Sequence, residues 1–419
     1  AYEISTRDWS SDVCSSDLLP RFLYRNFHDR LELHDKSRES TIAELQATLR
    51  SLQLKGDWLK LKWCLPHKVR EILTESERAF LEKDFEARRE KRNMKFLEVF
   101  PHCSDEFSVT LDFLVSSFGD SRTPLISPKS RVITIGSCFA RNIAVFLKSK
   151  GFEVRAFQQA EDLNSPFSNS KMLAIAAASV SIRDSYVSRW MSTLYPRATP
   201  SELSEITQRE TARLASLSQF IRESDVIVVT CGNVFDYFLS DPDDIDLHEP
   251  GPKVAPKFFS IASNEDLDLR RILTKRLLEA GAIFRMGTFG ETSEALVSQY
   301  NSIRAINPSA NVIFTLSPVP IDSAIGVSNP LNCGAVELDC SSKSVLRAAL
   351  SQFMSMPRAD KALFYFPSFE IVRWVAPNIG VPVFGKEDAS SRHVSNDILE
   401  GVYAFFLYKF GDPQFTPHS

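Results

Sequence analysis

A glycine, a serine and a cysteine stand together at 136–138, directly after the β-branched run RVITIG (131–136). In an open α/β sheet, ligands bind at the carboxyl ends of the strands, and Ser137 falls at such an end. The helix expected to follow leaves backbone N–H groups unpaired at its start and carries partial positive charge there. Those groups, the N–H of Ser137 among them, suit a developing oxyanion. Gly136 lets the chain turn sharply with a substrate close to the backbone. Cys138 is the rival nucleophile, because a thiol at a helix N-terminus is acidified and reactive. Position favours Ser137: the residue that ends the strand faces the cleft, and the next turns into the helix. The same residues also suit a purely structural turn, since Ser is a preferred N-cap.

A serine nucleophile needs a base. Of the seven histidines, only His248, His393 and His418 follow Ser137. His418 lies beside the end of the sequence, where chains fray, and His248 lies in an acidic, proline-containing segment (240–262). His393 falls between the fifth strand and the last helix of the expected order, again at a strand's carboxyl end. It is the candidate base, and triad geometry allows the resulting order Ser, acid, His.

The elements that must position these residues alternate. Strands are expected at 131–136, 152–157, 224–230, 311–320 and 362–367. Helices are expected at 138–151, roughly 207–221, 294–306, 342–355 and 394–410. This alternation predicts a parallel sheet covered by helices on both faces. The near-continuous apolar run of the third strand marks it as buried on both sides.

Ahead of the alternating region, residues 19–115 read as a helical extension. Ile42, Leu45, Leu49 and Leu52 recur at helical spacing, and Leu73, Phe80, Leu81 and Phe85 are assigned to one face of a second helix. The basic run Arg88, Arg89, Lys91, Arg92 and Lys95 reads as a solvated face or a contact for an acidic partner. Residues 116–130, rich in Ser, Pro and Gly, read as a linker; 131–410 form the α/β domain and 411–419 a tail. Residues 1–18 show neither apolar periodicity nor a secretory pattern. They resemble translated sequencing-adapter read-through and are left out of the fold reading.

Composition narrows the function classes. Hydrophobic residues make up 43% and charged residues 24%, ordinary globular usage. A net charge of −4 gives no global attraction for nucleic acid or anionic membranes. No apolar run is long enough for a transmembrane helix. The seven Cys form no zinc-type spacing, and neither a metal nor a cofactor is expected; their usage fits a reducing, cytoplasmic setting, while Cys333 and Cys340 could pair in an exported protein. No phosphate-cradling glycine motif is present.

GSCFA at 136–140, LSPVP at 316–320, CSSKSVLRAAL at 340–350, FYFPSFEIV at 364–372 and RHVS at 392–395 follow one another in order. Together they resemble the GSCFA family, related to the SGNH (GDSL-like) hydrolases, over roughly residues 125–410. The resemblance implies a flavodoxin-like three-layer α/β/α fold, with Ser137 as nucleophile and His393 as base. SGNH relatives usually carry an Asp three residues before the His; here Ser390 stands there, and the nearest acids are Asp388 and Glu387. A two-residue insertion would give Asp388 the role of orienting the imidazole; without it the site is a Ser-His dyad. The resemblance further implies oxyanion donors after the third strand, where TCGNVFDYF supplies Gly232 N–H or Asn233. Asn164 in LNSPFSNS is the candidate from the loop after the second strand. The implied activity is that of a serine esterase or O-acyltransferase acting on a small-molecule, acetylated carbohydrate or lipid ester. The rival class is a non-catalytic module that binds a glycan or a partner in the same cleft.

Overall fold

The computed structural model describes residues 27–28, 30–32, 38–52, 69, 72–81, 123–136, 138–158, 164–239, 267–321, 334–358, 361–378, 382–390 and 392–412. The chain divides into two compact units, Ala1–Phe100 and Pro101–Ser419.

In the first unit, helix α1 (Arg38–Leu52) buries Ile42 and Leu45, as the spacing requires. Arg38 donates from two nitrogens to the Glu77 carboxylate, at 2.8 Å each, and to the Ile72 carbonyl at 2.6 Å. Residues 75–81 are helical and bury Leu81, whereas Phe80 is exposed. Assigning both to one face fails because adjacent helical residues point about 100° apart. Phe85 and the basic run lie outside the described residues.

The second unit is built on a five-stranded parallel sheet. Its strands are β1 (Arg131–Gly136), β2 (Glu153–Gln158), β3 (Val226–Cys231), β6 (Asn311–Leu316) and β7 (Leu363–Phe366). Their order is β2-β1-β3-β6-β7. Counted within the sheet this is 2-1-3-4-5, the flavodoxin-like order, with its switch point between β1 and β3. Period-two alternation sends Ile133, Ile135, Val229 and Phe314 to one face, under helices α3 (Pro166–Ala177), α4 (Val180–Leu194), α5 (Pro200–Glu223), α7 (Phe289–Ile306) and α8 (Ala335–Ser355). The opposite face is covered by α2 (Cys138–Ser149) and α9 (Asn396–Phe410), where Phe366 meets Phe406 edge-on at 5.0 Å. Helices thus lie on both faces of a three-layer α/β/α fold.

Three features depart from the expected organisation. Residues 123–126 do not run free as a linker: Thr123, Leu125 and Ile126 donate to carbonyls of Lys409 and Phe410 at the end of α9. β4 (Phe235–Leu239) and β5 (Ala282–Met286) form a separate antiparallel pair. Helices α3, α4 and α6 (Leu267–Glu279) fill stretches with no expected element. α3 is buried from Pro166 to Ala176, so it has no polar face and no amphipathic period to read.

The N-terminus of α7 yields a stability prediction. Thr288 and Glu291 form a capping box, and Arg285 donates to both Glu291 oxygens at 2.6 and 2.9 Å. These hydrogen bonds, Arg285's foremost, hold the Glu291 carboxyl down at about 2. A carboxylate with a depressed folded value stabilises the protein above its unfolded value, about 4.3, and the contribution fades as pH falls through about 2. After allowance for solvent screening, Glu291→Gln is expected to cost about 1–2 kcal/mol at pH 7. The gap to wild type should narrow by pH 3. Urea unfolding at both values checks this, and a pH-independent gap would contradict it.

Candidate active site

β1 ends at Gly136 and α2 opens at Cys138; Ser137, the candidate nucleophile between them, lies outside the described residues. Gly136 has φ +143°, a region that L side chains avoid. A Cβ there would sit 2.8 Å from Thr230 Cβ and 3.0 Å from Thr230 O, so β1 and β3 close against the bare glycine. Gly136→Ala is expected to destabilise by roughly 2–4 kcal/mol, from strain plus overpacking. A denaturation midpoint indistinguishable from wild type would refute the close approach. The Thr134 and Thr230 hydroxyls are buried without hydrogen-bond partners among the described residues.

The cysteines differ in environment. Burial pushes the Cys231 thiol up to about 12, so it is inert near neutrality. Cys138 is partly exposed at the start of α2 and remains the rival nucleophile.

After β3 the chain turns through Gly232 and Asn233 and meets the segment ahead of α3. The N–H groups of Gly232 and Asn233 both donate to the Asn164 carbonyl, at 2.8 and 3.3 Å. Gly232 N–H is therefore engaged by the protein, which corrects the expectation that it faces an oxyanion. Asn233 Oδ1 accepts the Phe235 N–H at 3.0 Å. Asn164 Oδ1 accepts from Asn169 Nδ2 at 3.1 Å, while Asn164 Nδ2 is fully buried with no partner among the described residues. The structure thus gathers Asn164, Gly232 and Asn233 at one place.

A buried carboxylate that sequence reasoning missed anchors this corner. Asp236 accepts from the Ser168 hydroxyl at 2.7 Å, from the Ser165 hydroxyl, and from Tyr237 N–H at 2.8 Å. Ser165 is the N-cap of α3, so the carboxylate sits at the positive end of that helix. The signal was the Ser-Pro-x-Ser capping pattern ahead of α3.

His393 is carried by a tight loop. Phe384 and Val394 form an antiparallel bridge, Gly385 N–H donates to His393 O at 2.9 Å, and Ser395 N–H donates to Val383 O at 2.8 Å. Ala389, with φ +56°, turns the chain between Asp388 and Ser390. That turn folds Asp388 back, so its Oδ1 accepts Ser390 N–H at 2.9 Å and its Oδ2 accepts from His393 Nδ1. The five-residue spacing therefore reaches the imidazole. Glu387 points elsewhere: its Oε1 accepts the Asn396 N–H at the start of α9, 3.1 Å away. The His393 bond, then the Ser390 N–H, hold the Asp388 carboxyl below its usual range. A proton on Nδ1 leaves Nε2 as the acceptor. The His393 side chain is 63% exposed, so this nitrogen is open to a reactant.

Helix α9 relates the two halves. Its end is bonded to Leu125 and Ile126, just ahead of the amino end of β1. Fifteen residues of helix span about 22 Å, close to the roughly 20 Å of β1. The start of α9, with His393 just before it, therefore lies toward the carboxyl edge of the sheet. Among the described residues, no group of three or more His, Cys, Asp and Glu could hold a metal ion. No described helix is long and apolar enough to cross a membrane.

The fold defines the class: a flavodoxin-like three-layer α/β/α protein with a five-stranded parallel sheet. The model of the GSCFA family matches residues 131–378, more than half of the chain, and the chain belongs to that family. The match includes Gly136–Ala140 and ends before Asp388 and His393. Among solved structures, a salicylyl-acyltransferase, SsfX3, from a tetracycline biosynthetic pathway is similar at 12% identity and a TM-score of 0.31. The similarity covers 67% of this chain and 54% of that one, so the chain spans about half the length of that structure. No curated protein matches the chain.

Proposed function

We propose that this protein is a serine-dependent acyl hydrolase of ester bonds, or an O-acyltransferase where a hydroxyl replaces water as acceptor. The observation that carries this reading is the His393–Asp388 pair at the sheet's carboxyl edge, bonded through Nδ1 and therefore accepting at Nε2. In the proposed reaction His393 Nε2 takes the proton of Ser137 Oγ as Oγ attacks the ester carbonyl. The tetrahedral intermediate collapses, the alkoxide leaves with the proton from His393, and Ser137 remains acylated. Water or a hydroxyl then gives its proton to His393 and attacks the acyl carbonyl; as this second intermediate collapses, His393 returns the proton to Ser137 Oγ and the acid or new ester leaves. Asp388 keeps the proton on Nδ1 and supports the imidazolium that forms. The oxyanion donors are the Ser137 N–H and side-chain amides, Asn164 Nδ2 foremost because it is buried and unpartnered, with Asn233 beside it. The substrate class is a small-molecule ester, with acetylated carbohydrate or lipid as the first to screen, and no cofactor takes part in these steps.

The competing reading, a non-catalytic glycan- or partner-binding cleft, drew its support from the irregular acid spacing. The Asp388–His393 bond made at the Ala389 turn favours the hydrolase reading over it. A fluorophosphonate probe separates the two. Wild type and Cys138→Ala should both take covalent label. A folded wild type that takes none would overturn the hydrolase reading and leave the binding module.

A further inference from the structure

Two adjacent residues of α8 grip both ends of the turn that follows β3. Lys343 Nζ donates to the Gly232 carbonyl at 2.6 Å and to the Ser317 carbonyl at 2.8 Å. Ser342 Oγ accepts the Val234 N–H at 3.0 Å. Lys343 is 4% exposed and Ser342 fully buried. Gly232 and Ser317 are the first residues beyond the final pair of β3 and β6, Cys231 with Leu316. The ladder ends there, and carbonyls at such an edge need donors from elsewhere.

An ammonium group is a costly donor to bury, so its use here calls for more than satisfying two carbonyls. The Gly232 carbonyl belongs to the same peptide unit as the Asn233 N–H, which donates to Asn164 O. Lys343, the 232–233 peptide and the Asn164 segment thus form one connected line. Along it stand the two side-chain amides assigned above to the oxyanion, Asn233 in the middle and Asn164 at the far end.

We infer that Lys343 is a positioning residue: it locks the Gly232–Asn233 turn, and through it Asn164, in the geometry that stabilises the tetrahedral intermediate. This rests on the acyl-hydrolase reading. Lys343 acts through the backbone: its hydrogen bonds go to the Gly232 and Ser317 carbonyls. Its loss therefore acts on the transition state more than on ester binding.

The test uses the full chain with p-nitrophenyl acetate, fluorophosphonate labelling and thermal unfolding, in wild type, Lys343→Met, Lys343→Arg and Ser342→Ala. Lys343→Met is expected to lower kcat about 100-fold with KM within about threefold of wild type. Lys343→Arg, which keeps a cation and its donors, should recover roughly tenfold of that loss. A folded Lys343→Met with wild-type kcat, or with a change confined to KM, overturns the inference. If Lys343→Met does not fold, Ser342→Ala decides. A roughly tenfold fall in kcat at constant KM supports positioning, and an unchanged kcat overturns it. A wild type that takes no label overturns the hydrolase reading and this role with it. A labelled wild type with fully active variants overturns the positioning role alone.

Discussion

Ser137→Ala is expected to lower kcat/KM for an acetyl ester by about 10⁴-fold or more, with a thermal midpoint close to wild type. Without Oγ no acyl-enzyme forms, and the residual rate is what the oxyanion donors extract from direct attack by water. Two neighbours sharpen the expectation. Cys138→Ala should stay within about tenfold of wild type, since a residue opening α2 contributes position rather than the bond-forming atom. Cys231 cannot substitute, because burial keeps its thiol protonated near neutrality. Steady-state kinetics with each variant check this. Loss with Cys138→Ala and retention with Ser137→Ala would move the nucleophile to the thiol and overturn the serine assignment.

The second large effect concerns the acid, and its sign depends on the substituent. Asp388 accepts from His393 Nδ1, so it selects the tautomer with Nε2 unprotonated. In Asp388→Asn, the amide NH₂ donates to Nδ1 and drives the proton to Nε2, where it blocks transfer from Ser137. We expect kcat to fall by roughly 10²- to 10⁴-fold. Asp388→Ala leaves Nδ1 to water, which accommodates either tautomer because the pair is solvent-exposed, and should cost less than Asn. His393→Ala should match Ser137→Ala, because the two act as one unit. Stability should change little in any of them, since both side chains lie at the surface. The ranking Asn below Ala is the discriminating result. An Ala variant slower than the Asn variant would show that negative charge, rather than tautomer control, is what Asp388 supplies.

Much of the scaffold was legible in the residues. Strands announce themselves by β-branched runs, and RVITIG, VIVVTC and NVIFTL lie where those runs lie. Helices with one polar face, such as α2 and α7, could be read from their period. The alternation of the two, with crossover handedness, left little freedom in how the sheet could be wound. The elements that escaped notice share a physical cause. α3 is buried all round and has no amphipathic signal, and β4 pairs with β5 across more than forty intervening residues, which no local window spans.

The site divides along the same line. Sequence alone nominated Ser137 and His393, because one follows a strand and the other precedes the last helix, and both placements depend only on chain order. The resemblance to the family left the acid as Asp388, Glu387 or none, and pointed to Asn164, Gly232 and Asn233. Tertiary structure decided which of these can meet. A positive φ at Ala389 turns Asp388 onto the imidazole, and Glu387 bonds to the start of α9 instead. The Asn164 carbonyl takes up the Gly232 N–H and leaves the buried Asn164 amide unpartnered. Lys343, on a helix more than a hundred residues further along the chain, ties down the turn beside them. Residue type and local periodicity determine which elements form and which side chains have the chemistry. The direction in which a backbone N–H or carboxylate points is set by contacts between distant segments, and only the folded chain contains those.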